Sequence, residues 1–238
     1  MTSVRYLSVP KVGNRPNENE DSFAFSEDRG IFAVSDGASD SSFAGQWARA
    51  LTATFSEIGG VHESGDFITL VKRSREIWKK SVDWGSLPWF VKNKVTGGAY
   101  ATFLGVHVNT SLYEFTVTFV GDSCLFHLDE SGYTVYPNMK PEDFKFNPKL
   151  IWSGYGYPSL EKVSPIKTEA SIARRKWKNG DSFILATDAM SKWLLEDDPM
   201  EKIASVIEGF DTFGEKVDQL RKEKIMRNDD VTVMLLNP

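Results

Sequence analysis

Short runs rich in Val, Ile, Phe and Thr recur along the chain, and most are bounded by Gly, Asp or Asn. Runs with this composition and these boundaries are typical of β-strands. The runs are SFAF (22–25), GIFAVS (30–35), AYATFLGVHV (99–108), EFTVTFVG (114–121), CLFHL (124–128), SFILAT (182–187) and VTVMLL (231–236). The pattern therefore predicts strands along almost the whole chain.

Apolar residues repeat at helical spacing in stretches between these runs. Phe43, Trp47, Leu51 and Phe55 recur every four residues, which predicts one buried stripe of an amphipathic helix. The stretch 66–82 carries a similar apolar stripe, which includes Ile77. The stretches predicted to be helices are 41–57, 66–82, 199–208 and 213–224.

The order of these elements predicts the fold class. Predicted strands follow one another in pairs, and so do predicted helices, whereas regular β-α-β alternation is absent. This order favours an α+β sandwich of antiparallel sheets covered by helix pairs over a doubly wound parallel sheet. The stretch 137–165 carries five prolines and is too short for its own core, so it is predicted to be a surface excursion. Residues 1–238 are predicted to form a single domain.

Charge and cysteine content argue against several classes of protein. The chain has 28 Lys and Arg against 33 Asp and Glu, a net charge of −5, whereas nucleic-acid binders and membrane-surface proteins favour a strongly basic face. The single cysteine, Cys124, excludes a disulfide framework and a zinc cluster built on thiolates. The first residues lack the apolar region of a signal peptide, and no run approaches 18 apolar residues. We therefore expect a cytoplasmic protein, with a monomer as the default state.

Acidic residues mark the ends of predicted strands. They are Asn19-Glu20-Asp21 before SFAF, Asp36 after GIFAVS, Asp122 after FTVTFVG, Asp188 after SFILAT, and Asp229-Asp230 before VTVMLL. A single aspartate at a strand end is usually a turn residue. Five acidic clusters in this position are instead predicted to converge at one rim of the sandwich.

Such a convergence has a chemical consequence. Carboxylates within about 4–6 Å of one another repel, and a cluster of them is stable only when protons or cations neutralise it. Oxygen ligands of this kind select Mg²⁺ or Mn²⁺ over zinc or copper, and Gly37 would allow its backbone carbonyl to approach a metal closely. A site with several carboxylates and hard metals mostly serves phosphoryl chemistry.

Six stretches resemble, in order, the motif series of the PP2C (PPM) family of metal-dependent protein serine/threonine phosphatases. They are NENEDSFAF (17–25), FAVSDGAS (32–39), GGAYATFLGVHV (97–108), FVGDS (119–123), DSFILATDAM (181–190) and NDDVTVMLL (228–236). The resemblance spans roughly residues 13–236 and is strongest to the compact bacterial branch. It implies an αββα sandwich with two Mn²⁺ or Mg²⁺ ions at one end, and a weaker third ion as in bacterial members.

The resemblance also implies roles for individual residues. Asp36 matches the carboxylate that bridges both metals, Glu20 and the Gly37 carbonyl match ligands of one metal, and Asp188 and Asp229 match ligands of the other. Asp122 matches a ligand of the third ion. Asp21 matches the carboxylate that supports Glu20, and Arg15 lies closest to the phosphate-binding position. The implied reaction is hydrolysis of phosphoserine or phosphothreonine in a protein by a metal-bridging water, without a phosphoenzyme. An opposing Ser/Thr kinase is the implied partner.

Three positions depart from the family pattern. Pro16 stands where the phosphate-binding arginine usually lies, one residue from Arg15. Ala38 follows Gly37 where eukaryotic members have a proposed general-acid histidine. Lys192 stands where the family often has another aspartate, which weakens the third-ion assignment.

Three functions therefore stay open from the sequence. A metal-dependent phosphoprotein phosphatase accounts for the filled ligand positions. A catalytically silent binding module on the same fold, which docks a kinase or another partner, accounts for the departures. A phosphomonoesterase for small molecules is the third, although no P-loop and no GxGxxG motif supports nucleotide recognition.

Overall fold

The computed structural model describes residues 3–88, 95–144, 147–155 and 164–238. Its strands are β1 (Ser3–Val9), β2 (Ser22–Ser26), β3 (Ile31–Ser35), β4 (Tyr100–Ala101), β5 (Phe103–Asn109), β6 (Glu114–Val120), β7 (Cys124–Asp129), β8 (Gly132–Tyr136), β9 (Ile151–Trp152), β10 (Ser171–Lys176), β11 (Ser182–Ala186) and β12 (Val231–Asn237). Its helices are α1 (Ala44–Ile58), α2 (Ser64–Ser81), α3 (Asp188–Leu195), α4 (Pro199–Glu208) and α5 (Phe213–Lys222). None of these helices is long and apolar enough to cross a membrane.

The described strands form two antiparallel sheets of five strands each. The first sheet has the order β1-β12-β11-β7-β8, and the second has the order β10-β6-β5-β3-β2. The short strands β4 and β9 pair separately. Helices α1 and α2 pack on the second sheet, and α3, α4 and α5 pack on the first. The predicted αββα sandwich is therefore confirmed.

Strand β3 shows how the sequence builds two buried layers at once. Phe32 and Val34 face the other sheet, whereas Ile31 and Ala33 face helix α1. Successive side chains of a strand point to opposite faces, so a strand covered on both sides must be apolar at every position. This explains why GIFAVS is an unbroken apolar run rather than an alternating one.

The structure corrects the sequence prediction at several elements. The run 99–108 is two strands rather than one, because Thr102 leaves the ladder and donates its backbone N–H to the carbonyl of Asp36. Strands β1, β8 and β10 were not predicted, because each lies at a sheet edge and carries polar residues that interrupt the apolar pattern. Helix α3 was also not predicted as a separate element. Ile77, placed on a buried stripe, is 40% exposed.

The proline-rich stretch 137–165 is partly described. It contains a short 3₁₀ turn at Pro141–Asp143 and strand β9, which pairs with β4 beside Gly37. Residues 145–146 and 156–163 of this stretch lie outside the described residues.

Candidate metal centre

Five chain segments bring their carboxylates to one end of the sandwich. Asp36 follows β3, Asp122 lies in the turn between β6 and β7, and Asp188 begins α3 directly after β11. Asp36 is close enough to Asp21, Asp122, Asp188 and Asp229 for all four charges to act on it. The predicted convergence of the strand-end aspartates is therefore present in the structure.

Asp230 holds the N-terminal segment in place. Its Oδ1 accepts a hydrogen bond from the backbone N–H of Lys11 at 2.7 Å, and its Oδ2 accepts one from the backbone N–H of Glu20 at 2.8 Å. Asp230 is only 3% exposed. Both oxygens are thus used to fix the backbone that presents Glu20, which makes Asp230 a positioning residue.

Thr187 links the ends of three strands to Asp21. Its hydroxyl donates to Asp21 Oδ2 at 2.8 Å and accepts the backbone N–H of Thr232 at 2.9 Å. The backbone N–H of Thr187 in turn donates to the carbonyl of Thr232. This network places the start of β2 beside the point where β11 ends and β12 begins.

Gly37 is needed for a reason that its sequence position does not reveal. A Cβ atom at this residue would lie 2.7–2.9 Å from the carbonyl group and Cβ of Ala44, the first residue of α1. The backbone N–H of Gly37 donates to the carbonyl of Glu20 at 3.2 Å, and Thr102 Oγ1 accepts the backbone N–H of Asp36 at 3.1 Å. The glycine therefore allows α1 to close over the loop that presents Asp36.

Burial and mutual repulsion raise the pKa values of the clustered aspartates. Burial, followed by the charge of Asp188, raises the pKa of Asp122 to about 7. The pKa values of Asp21 and Asp36 are raised well above their usual range, mainly by burial and in part by neighbouring carboxylates. Burial also raises the pKa of Asp188, although Arg227 opposes this shift. The metal-free fold therefore disfavours full ionisation of the clustered carboxylates.

Two buried carboxylate oxygens in the cluster have no hydrogen-bond partner among the described residues. They are Oδ1 of Asp21 and Oδ1 of Asp122, whose residues are 6% and 4% exposed. Buried polar atoms are nearly always paired, so an unpaired one calls for a ligand. Together with a donor set made only of oxygens, these atoms fit a hard divalent cation.

Two cations of the chain itself reach into the cluster, and sequence reasoning missed both. Lys11 Nζ lies 3.3 Å from Glu20 Oε2 and 3.0 Å from Ser39 Oγ. Arg227 Nη2 donates to both Asp188 and Asp229. In the described part of the chain, no three His, Cys, Asp or Glu side chains are already arranged as a metal-binding group. Arg227 lies two residues before Asp229, so a basic residue inside an acidic motif was the available signal.

Arg15 and Lys192 lie outside this network. Arg15 is exposed, and its side chain makes no ion pair with the described residues. Lys192 pairs with Glu196 at 3.5 Å, one helical turn away, rather than with Asp122 or Asp188. The phosphate-binding role of Arg15 and the effect of Lys192 on a third ion stay predictions.

The fold matches solved structures over nearly its whole length, although no protein-family model and no curated protein matches the chain in sequence. The catalytic domain of serine/threonine protein phosphatase PstP, in complex with two manganese ions, is 16% identical, covers 100% of this chain and 99% of its own, and has a TM-score of 0.61. Serine/threonine phosphatase Stp1 from Staphylococcus aureus is 12% identical, covers 100% and 95%, and has a TM-score of 0.64. RsbX in complex with magnesium is 20% identical, covers 99% and 94%, and has a TM-score of 0.53. The chain therefore has the PP2C-type fold of bacterial serine/threonine phosphatases.

Proposed function

We propose that this protein is a metal-dependent phosphatase that hydrolyses phosphoserine and phosphothreonine in other proteins. One observation carries the proposal: buried, unpaired oxygens of Asp21 and Asp122 in a carboxylate cluster at one end of the sandwich. Leaving a buried charged group unpaired costs stability, so a fold without a cation to bind has no evident reason to retain it. The likeness of the fold to a phosphatase in complex with manganese ions, and to RsbX in complex with magnesium, supports the same proposal.

The proposed metal ligands form two groups that share Asp36, and a further pair for a weaker third ion. Glu20, the Gly37 carbonyl and Asp36 would hold one ion, and Asp36, Asp188 and Asp229 would hold the second. Asp122 with Asp188 would hold a weaker third. Mn²⁺ or Mg²⁺ bound there would activate a water for attack on phosphorus and neutralise the phosphate oxygens.

The remaining roles belong to the chain itself. Arg15, exposed and without an ion pair in the described part of the chain, is available to bind the substrate phosphate. Asp21 supports the Glu20 backbone segment through the Thr187 network. Burial raises the pKa of the Cys124 thiol, which keeps it protonated and argues against a cysteinyl-phosphate intermediate. Water is therefore the proposed nucleophile, without a phosphoenzyme. An opposing Ser/Thr kinase stays a prediction from the resemblance.

The test is hydrolysis of p-nitrophenyl phosphate in Mn²⁺, Mg²⁺ and EDTA. We expect turnover with Mn²⁺ or Mg²⁺, none in EDTA, and a loss of more than about 100-fold in Asp36→Asn, since even a residue behind a metal ligand contributes about 10–100-fold. Asp40→Asn, an exposed aspartate of the same loop, is the matched control and should leave turnover unchanged. Equal turnover of wild type and Asp36→Asn would contradict the proposal. A panel of phosphopeptides and small phosphomonoesters then separates a protein substrate from a metabolite.

The ion pairs of Lys11 and Arg227 favour one alternative, a silent binding module whose own cations neutralise the cluster. Calorimetry distinguishes the two functions. Binding of Mn²⁺ at micromolar to millimolar concentration is expected for the phosphatase, and its absence at millimolar Mn²⁺ for the binding module.

A further inference from the structure

Arg227 occupies the space between two proposed metal ligands. A single guanidinium nitrogen, Nη2, donates to Asp188 Oδ2 at 2.5 Å and to Asp229 Oδ2. The charge of Asp229 acts on Asp188, and Arg227 forms an ion pair with each of the two carboxylates. Asp188 makes one further hydrogen bond, from the backbone N–H of Ala189.

The same two oxygen atoms cannot hold the guanidinium and a metal ion together. A hydrogen-bonded nitrogen at 2.5 Å fills nearly the position that an Mg²⁺ or Mn²⁺ ion would take at about 2.0–2.2 Å from the same oxygens. An ion that binds both Asp188 Oδ2 and Asp229 Oδ2 must therefore displace Arg227 from at least one of them.

The Arg227 side chain has room to leave this position. Its side chain is 47% exposed, and it belongs to the segment 223–230 between α5 and β12 rather than to the buried core. A cavity of about 170 Å³ lies beside it, lined by residues that include Phe144, Lys192 and Glu196. Glu196, which pairs with Lys192 at 3.5 Å, lines the same cavity as Arg227.

We propose that Arg227 is the counter-ion of the metal-free centre and that it exchanges with the divalent cation on Asp188 and Asp229. This inference rests on the proposed function, because it takes the two aspartates as metal ligands. The exchange sets the affinity for the cation, because each binding event must first break at least one of these charge-assisted hydrogen bonds. When no cation is present, Arg227 keeps the two carboxylates in place.

The experiment titrates Mn²⁺ into metal-stripped protein by calorimetry, for wild type and Arg227→Met. Methionine is similar in length and uncharged. We expect the Kd for Mn²⁺ to fall about tenfold in Arg227→Met, because hydrogen bonds to charged groups must no longer be broken. In EDTA, we expect Arg227→Met to melt at a lower temperature than wild type, since the repulsion between Asp188 and Asp229 is no longer neutralised.

Matched variants separate exchange from a general charge effect. Arg73→Met removes an arginine of similar exposure, 55%, that pairs with Glu57 on the helix side of the molecule, and it should change neither value. Arg227→Lys keeps the charge with a single nitrogen, and its Kd should lie between those of wild type and Arg227→Met.

Each outcome decides between the two proposals. An unchanged or weaker Mn²⁺ affinity in Arg227→Met would overturn the exchange, and an unchanged melting temperature in EDTA would overturn the counter-ion role. Tighter Mn²⁺ binding without any phosphatase turnover would support the exchange and overturn only the proposed function. Absence of Mn²⁺ binding in both proteins would overturn both.

Discussion

Strand β11 is preceded by Asp181 and followed, after Thr187, by Asp188, and these two aspartates lie in opposite environments. Asp181 Oδ2 accepts a hydrogen bond from the backbone N–H of Lys178 at 2.8 Å and lies 2.8 Å from Nε2 of His127. Asp188 instead lies among other carboxylates, and its pKa is raised by burial and by Asp229 although Arg227 opposes the shift.

The neighbouring strand β7 repeats the contrast. Asp129, at its end, accepts hydrogen bonds from the backbone and hydroxyl of Ser131, which hold its pKa below the usual range. Asp122, just before its start, has an unpaired buried oxygen and a pKa of about 7. One end of each strand thus has a local donor for its aspartate, and the other end brings aspartates from several segments together.

The contrast shows that the residue type at a strand end does not decide its role. A turn aspartate is satisfied by atoms within a few residues of it. A cluster forms where several strands end on the same side with too few donors to pair every carboxylate oxygen, and this depends on the sheet order. The two kinds of aspartate therefore respond to mutation in opposite directions.

The largest expected effect on stability is that of Asp181→Ala, at the end of the sandwich opposite the carboxylate cluster. We expect the free energy of unfolding to fall by about 3 kcal/mol, because the buried ring of His127 and the N–H of Lys178 lose their partner. Urea denaturation measures the loss, and turnover of p-nitrophenyl phosphate with Mn²⁺ should be unchanged. Asp129→Ala, an exposed aspartate at the same end, is the control and should lose much less. A denaturation midpoint equal to that of wild type would show that the pair with His127 does not stabilise the fold.

At the end of the sandwich that holds the carboxylate cluster, Asp122→Asn should raise the free energy of unfolding rather than lower it. The pKa of Asp122 in the folded protein is about 7, above the usual aspartate value of 3.8, so the ionised form is disfavoured by folding. The metal-free wild type therefore loses stability as pH rises from about 4 to 7, whereas the asparagine variant lacks this loss. From pH 5 to 8 we expect the variant to gain roughly 2–3 kcal/mol relative to wild type.

Denaturation in EDTA at a series of pH values measures this difference. Asp129→Asn should show no such gain, because the pKa of Asp129 is shifted downwards. A stability difference between Asp122→Asn and wild type that does not change with pH would show that folding does not raise the pKa of Asp122.

Most of the fold was predictable from the sequence because its buried strands are covered on both faces. Runs such as GIFAVS are apolar at every position, and they mark the central strands directly. Three of the four edge strands of the two large sheets were missed, whereas β2 was predicted. Strand β10, for example, reads SIARRK, and its basic residues protect an exposed edge rather than fill a core. The break between β4 and β5 at Thr102 could not be predicted from the sequence either, because it depends on a hydrogen bond to Asp36, which is far away in sequence.

The candidate site was predictable in part for the same reason. Acidic residues at strand ends indicated the carboxylates that the structure brings together, whereas the roles taken from the motif order stay predictions. Lys11 and Arg227 were missed, because a basic residue near an acidic motif does not by itself indicate that its side chain turns back onto the acidic cluster. The packing role of Gly37 against Ala44 was not predicted, because it comes from the position of helix α1.

The smallest expected effect concerns the exposed arginines of the two ends. If Arg15 binds the substrate phosphate, Arg15→Ala should raise KM for a phosphopeptide up to about fivefold with little change in kcat, because an exposed charge pair contributes up to about 1 kcal/mol. Arg175→Ala, which removes an exposed arginine of β10 near the other end, is the matched control and should leave KM unchanged. The effect of Arg15→Ala should also shrink in high salt, since exposed charges are screened. An unchanged KM in Arg15→Ala would assign the phosphate to another cation of this end, and Lys11, whose Nζ already reaches Glu20 and Ser39, would then be the residue to change.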